Sequence, residues 1–384
     1  MLDTVESICL KRVRDAILED LEVKFVICDL RESNTLSKED VQKILSQKTE
    51  QGQARQLLDV MYTKDKKGFW EFIECLEKDD RYPWIADQLR SLEKTTKEET
   101  LYVYKTLLRG GVPFSIKHFV HRGDLEKQIR ATLKAVSETP YIRSWVTLHG
   151  MTGCGKSVMA AEALRDYDLL RNCFPDGVFW LPIGRLRHES DILIKLNIQL
   201  DRVDCKMADI PEVAKNRLRQ WFSGKKALLV LDDVWERSVL SAFDVGCPLL
   251  VTTRKLSIID DDRDNVEWIQ VGDSLTLEET KSVFSVIMGV QVHELPRQVE
   301  NIHETHKGLP ILMATIGSAL KPYAKQPELW ADYIEKSRGV IRNRQRRPSG
   351  SDLYEVLKLI YDDLDEDLKS AFRDFALFLE DIDI

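Results

Sequence analysis

Eight residues from Gly150 to Ser157, Gly-Met-Thr-Gly-Cys-Gly-Lys-Ser, have the composition to grip a chain of phosphates. Four residues separate the first glycine from the Gly-Lys-Ser end, the spacing of a phosphate-binding loop. Glycines let the backbone turn its N–H groups inward around an anion. The expected cradle is Gly153, Cys154, Gly155, Lys156, Ser157 and Val158, with Lys156 neutralising the outer phosphates and Ser157 offering its hydroxyl to Mg²⁺. A glycine turn that binds nothing is the alternative. Context weighs against it: Trp145–His149 reads as a buried strand, and Val158–Leu164 is rich in helix formers. A following helix would point the positive end of its dipole at the same anion.

A second acidic element follows after an α/β interval. Leu228-Leu-Val-Leu-Asp-Asp233 puts paired carboxylates at the end of an apolar strand, where ligands sit in open parallel sheets. Asp232 is placed to hold Mg²⁺ through water and Asp233 to polarise an attacking water. Arg254 ends the run Leu249-Leu-Val-Thr-Thr-Arg. A guanidinium there could report on a terminal phosphate, although alone it reads more readily as half of a surface salt bridge. Cys154 reads as loop filler rather than as an oxidation-sensitive thiol.

These groups need a sheet to position them. From about 114 to 272 strands alternate with helices, with Val178–Leu181, Ala227–Leu231 and Leu249–Thr252 as further strands, which implies a parallel sheet covered by helices. Before that, apolar stripes at helical spacing mark five or six short helices: Val5 to Leu21, then Val41 to Leu45 behind the near capping box Ser37–Asp40, Ala54 to Met61, Phe69 to Leu76, and a helix opened by Pro83. That bundle carries no catalytic constellation. Residues 91–110 read as a polar connector, 275–335 as helical, and 352–381 as helical, with the chain stopping too early to complete a domain. Arg338–Arg347 is a basic cluster that reads as a solvated face ahead of an anion site or a nuclear signal.

The 384 residues suffice for two to four domains. A net charge of −8 argues against general nucleic-acid binding. No apolar run reaches the roughly 18 residues of a membrane span, and the N-terminus lacks the pattern of a secretory signal. Seven scattered cysteines without a C-x-x-C pair suit a reducing, cytoplasmic setting.

Taken in order, Gly150–Ala163, Cys173–Trp180 (Cys-Phe-Pro-Asp-Gly-Val-Phe-Trp), Leu228–Trp235, Leu249–Arg254 and Gly308-Leu-Pro310 resemble the NB-ARC module of signalling ATPases. The chain is similar to the apoptotic protease-activating factor family, and its first helices resemble that family's caspase-recruitment domain. The resemblance implies a multidomain α and α/β protein: a death-fold bundle at 1–92, a linker at 93–113, a P-loop NTPase parallel sheet at 114–272, a small helical domain at 273–345 and an incomplete winged helix at 346–384. It further implies that Val120 and Arg122, in Phe119-Val-His-Arg122, lie at the adenine end of the nucleotide and that Pro310 packs beside the base or sugar. Where family members place a serine near the phosphates, this chain has Ala314. The family's ADP-contacting winged-helix histidine and its WD-repeat sensor are not in this sequence.

The function implied is an ADP/ATP-dependent switch, at most a slow ATPase, that assembles into a ring. It would recruit an initiator caspase through contact between like bundles, with Glu32, Glu39 and Asp40 as a candidate acidic face. A mechanical or nucleic-acid-handling ATPase of the AAA+ kind is the alternative, and a small-molecule phosphotransferase would need an acceptor pocket that no motif marks.

Overall fold

The computed structural model describes residues 4–78, 81–116, 119–138, 144–185, 196, 200, 211–259, 265–272, 274–324, 326, 328, 330 and 369. The basic cluster at 338–347, and 352–381 apart from Lys369, lie outside the described residues. The chain divides into two compact units, Leu2–Tyr104 and Lys105–Ile384.

The N-terminal unit is helical. Its elements are α1 (Val5–Arg12), α2 (Arg14–Asp20), α3 (Ile27–Glu32), α4 (Lys38–Leu45), α5 (Glu50–Met61), α6 (Lys66–Glu77) and the first part of α7 (Pro83–Arg109). Short polar side chains start most of them: Thr4, Ser37, Thr49 and Asp65 each accept a backbone N–H of the first turn. Ser37 and Asp40 form a full capping box. The core joins Cys9, Leu10, Ile17, Leu30, Ile44, Leu57, Phe69, Phe72, Leu76 and Ile85.

Two features depart from the sequence reading. The first stripe breaks at Val13, which caps α1 and starts α2, and α3 was not anticipated, so more helical segments precede Arg109 than the five or six expected. The stretch 91–110, read as a connector, is helical to Arg109. Between Trp84 and Arg109 there is no glycine or proline to stop a helix, and Leu, Lys, Glu and Arg carry it through.

The second unit is built on a five-stranded parallel sheet: β1 (Trp145–His149), β2 (Gly177–Pro182), β3 (Ala227–Val234), β4 (Leu249–Thr253) and β5 (Val266–Gln270), in the order β2-β3-β4-β1-β5. In β1 to β4 the apolar residues of both faces are buried. Trp145, Phe179, Leu229, Leu231 and Val251 belong to one large core with Trp221 and Phe222, while Val146, Leu148, Val178, Trp180, Val230 and Leu250 are also 3% exposed or less. Such continuous apolar runs are what a sheet covered on both sides requires.

Among the described residues, four helices accompany the sheet, α8 (Gly123–Ser137), α9 (Lys156–Ala163), α10 (Pro211–Phe222) and α11 (Arg237–Ala242), with a π-helical turn at Leu169–Cys173. The register Leu148↔Thr252 and Leu229↔Leu249 brings the carboxyl ends of β1, β3 and β4 to one edge. Among the described residues, helices α12 (Leu277–Met288), α13 (Gln298–His306) and α14 (Pro310–Leu320) follow, around a separate core of Phe284, Ile287, Ile302, Met313, Ile316 and Trp330.

Among the described residues no helix is long and apolar enough to cross a membrane.

Candidate functional site

The loop after β1 turns on glycines that no other residue replaces without strain. Gly153 has φ +78° and Gly155 φ +98°, and Gly155 caps α9. A Cβ on Gly155 would meet nothing within 4 Å, whereas one on Gly153 would lie 2.4 Å from Ile311 Cγ2. The loop is thus in contact with the first turn of α14, and Ile311 N donates to Gly153 O at 3.3 Å. Lys156, only 7% exposed, directs Nζ to the carbonyls of Gly150 (3.0 Å) and Met151 (2.9 Å). Cys154 is buried, 3.9 Å from that ammonium through its sulfur.

Across the loop stand the two acids that end β3. Thr252 Oγ1 donates to Asp232 Oδ1 at 2.6 Å and accepts from Asp233 N at 2.8 Å. Burial pushes the Asp232 carboxyl above its ordinary pKa, an effect that hydrogen bonds with Ser157 and Thr252 only partly offset; the Asp233 charge adds to it and the Lys156 charge opposes it. Asp232 and Ser157 are therefore partners, and both offer hard oxygen donors of the kind Mg²⁺ takes.

Asp233 is different. It adopts φ +56°, uncommon outside glycine, and both its oxygens are engaged: Arg254 Nε on Oδ1 at 3.1 Å, with Arg254 Nη2 at 3.3 Å and Trp235 Nε1 at 3.0 Å on Oδ2. Arg254 also donates to Thr152 Oγ1 of the loop at 3.1 Å and lies over the Trp235 ring, 4.8 Å from its centroid. Arg254 is thus half of a salt bridge with the neighbouring acid, and it is joined to the loop through Thr152.

The other end of the site is apolar. Val120 packs against the core of the helical group. Arg122 reaches the carbonyls of Gly272 and Ser274 at 3.4 Å each and Glu279 at 3.8 Å. Pro310 opens α14 at its first turn, where its missing N–H costs nothing.

One cavity of about 520 Å³ is lined by all twelve residues that the sequence analysis placed in the loop, the strand ends and the two flanking segments: Val120, Arg122, Gly153, Cys154, Gly155, Lys156, Ser157, Val158, Asp232, Asp233, Arg254 and Pro310. Its size is that of a small-molecule site. Ile116, Phe119, Leu275, Val283 and Ile311 complete its apolar end, with Ala314 where a serine was looked for. Sequence reasoning missed Ile116, Leu275, Val283 and Ile311, which belong to no motif, and gave no place in the site to Phe119. It also missed Thr252, for which a signal existed: a polar residue, wholly buried, at the end of an apolar strand. Among the described residues no group of three or more His, Cys, Asp or Glu could hold a metal alone.

The acidic face of the N-terminal unit is also uneven. Glu32 and Glu39 are exposed, whereas Asp40 is tied to Ser37 N at 3.0 Å and Lys64 Nζ at 3.0 Å.

Comparison with known proteins identifies the family. Residues 8–92 match the caspase recruitment domain and residues 125–291 the NB-ARC domain, a nucleotide-binding module. Over 402 residues of alignment, covering 100% of this chain and 32% of the relative, the sequence is 31% identical to apoptotic protease-activating factor 1 of Homo sapiens. It is 30% identical to that of Danio rerio, over 98% of this chain and 31% of the relative. A probable disease resistance protein of Arabidopsis thaliana is 28% identical over 62% of this chain and 32% of its own length. The chain thus spans about a third of the length of these curated relatives. Among solved structures, a Drosophila ORC complex bound to DNA gives a TM-score of 0.41 at 12% identity, covering 72% of this chain and 83% of that one.

Proposed function

We propose, from the premise that this is an apoptotic protease-activating factor-like protein joining a caspase recruitment domain to an NB-ARC domain, that it is an adenine-nucleotide-dependent switch which self-associates and recruits an initiator caspase. The observation that carries the reading is that these groups share one cavity: loop, acids, arginine and apolar wall come from distant stretches of sequence, and the wall includes α14 as well as the sheet. A ligand held between a sheet and a helical group biases their arrangement by its differential affinity for the alternatives.

Within this reading the main-chain N–H groups of Gly153 to Val158 and the Lys156 ammonium hold the phosphates. Ile116, Phe119, Val120 and Pro310 enclose the base, with Arg122 beside it. Mg²⁺, when bound, would screen the charge of the phosphates, with Ser157 offering its hydroxyl and Asp232 holding the ion through water. Asp233 is the residue to orient water. Arg254 and Trp235 occupy its oxygens, which favours a switch that turns over slowly, at most, over a fast motor. ADP would favour the closed, monomeric form and ATP a form that assembles into a ring. The N-terminal bundle then gathers caspases on one platform, raising their local concentration. Glu32 and Glu39 are the acids exposed for that contact, and the cytoplasm is the compartment where it would occur.

Size-exclusion chromatography with light scattering, run with ADP, with ATP and Mg²⁺, and without nucleotide, tests the proposal. A larger species with ATP alone is expected; the same monomer profile in all three would contradict it. The alternative, a mechanical or nucleic-acid-handling ATPase, calls for turnover well above about one per second, which a steady-state assay reads directly.

A further inference from the structure

Glu126 lies one helical turn into α8 and is only 4% exposed. A carboxylate so deeply placed needs partners, and its partners converge on the segment at the apolar end of the cavity. Oε1 accepts the backbone N–H of Arg122 at 3.0 Å and sits 3.1 Å from His121 Nδ1. Oε2 accepts from Arg130 Nη2 at 3.0 Å, and Arg130 Nε in turn donates to the carbonyl of Ala163, the last residue of α9, at 3.3 Å. Arg122 is the N-cap of α8 and lacks a side-chain cap of its own, so Glu126 supplies the acceptor which that helix start otherwise lacks.

We propose that Glu126 is a positioning residue of the site: it fixes the Phe119–Arg122 strap at the base end and, through Arg130, ties that strap to the far end of the helix that begins in the phosphate loop. This inference rests on reading the cavity as an adenine-nucleotide site. Glu126 does not line the cavity; it acts through the backbone at Arg122, whose neighbours Phe119 and Val120 do. Its loss should therefore weaken the grip on the base while leaving the phosphate cradle intact. A general loss of fold would weaken both.

The test is calorimetric titration of the full chain with ADP and, separately, with inorganic tripolyphosphate. Glu126→Ala is expected to lower ADP affinity about tenfold, since a charge-assisted acceptor to the strap is removed, and to leave tripolyphosphate affinity within about twofold. Glu126→Gln keeps an oxygen for the Arg122 N–H and is expected to retain ADP affinity within about threefold of wild type. If the alanine variant does not fold, Glu126→Asp carries the test: its carboxylate is retracted by one methylene, and the same selective loss of ADP is expected. Unchanged ADP affinity, or ADP and tripolyphosphate falling in parallel, would overturn the inference alone. Wild-type protein that takes up tripolyphosphate but no ADP would overturn the adenine-site reading and this inference with it.

Discussion

Gly153 and Gly155 differ in a way that separates backbone strain from contact between the phosphate loop and α14. Both have positive φ, so an alanine at either pays the left-handed penalty, about 1–2 kcal/mol. At Gly155 nothing more is expected, because the added methyl meets no atom within 4 Å. At Gly153 the same methyl would stand 2.4 Å from Ile311 Cγ2 and 3.1 Å from its Cβ. Forcing a methyl into an occupied place adds about 1–3 kcal/mol. Gly153→Ala should therefore cost about 2–5 kcal/mol in the arrangement where loop and helix touch, against about 1–2 for Gly155→Ala. Ile311 is 38% exposed, so Ile311→Ala alone should change stability little. Combined with Gly153→Ala it should recover up to about 1–3 kcal/mol, the steric part only. ADP affinity and thermal midpoints of the four variants complete the cycle. Equal effects at the two glycines, or no recovery in the double variant, would refute the claim that the loop is braced by α14.

Further predictions concern charge and thiols. Because burial raises the Asp232 pKa, the folded chain binds that proton more tightly than the unfolded chain, and stability declines as pH rises from the ordinary carboxyl range through the raised folded value. Asp232→Asn should flatten this decline in nucleotide-free protein while removing any Mg²⁺ dependence of ATP binding, both measurable by thermal denaturation and titration. Burial, with the Asp29 charge adding to it, pushes the Cys75 thiol up to about 11, and burial raises Cys247 further; at pH 8 iodoacetamide should label exposed Cys28 well before either, as read by mass spectrometry. Glu39→Lys should leave the thermal midpoint unchanged, since the side chain is exposed, but weaken binding to a caspase recruitment domain about twofold to fivefold. Asp40→Lys is not an equivalent probe, because it also breaks the capping box and the Lys64 pair.

Much of the site was readable because its parts are local. Glycine spacing, a lysine and a hydroxyl at fixed offsets, and apolar runs ending in acids are properties of short segments. β1 to β4 were visible for the same reason: strands buried on both faces read as mostly apolar runs, with polar residues such as Thr147, Thr252 and Thr253 too few to blur them. β5, Val266-Glu-Trp-Ile-Gln270, sits at the sheet edge with Glu267, Trp268 and Gln270 exposed, and its short mixed pattern gave no such signal. Relations between segments were hidden. Nothing in Pro310-Ile311 announces that Ile311 touches Gly153, and nothing in Gly123–Ser137 distinguishes the buried Glu126 from the exposed Lys127 and Gln128 beside it. The pairing of Asp233 with Arg254 likewise depends on β3 and β4 being neighbours, a fact of sheet order rather than of either segment.

The most direct test of the central claim is the affinity of the full chain for ADP and for ATP with Mg²⁺, compared with that of Lys156→Ala. The Lys156 ammonium is nearly buried against the loop, and losing its charge from a phosphate site should weaken both nucleotides by at least tenfold, about 1.4 kcal/mol, with the thermal midpoint of the nucleotide-free variant close to wild type. Full retention of nucleotide by a folded Lys156→Ala protein would mean that the cavity is not where phosphates are held.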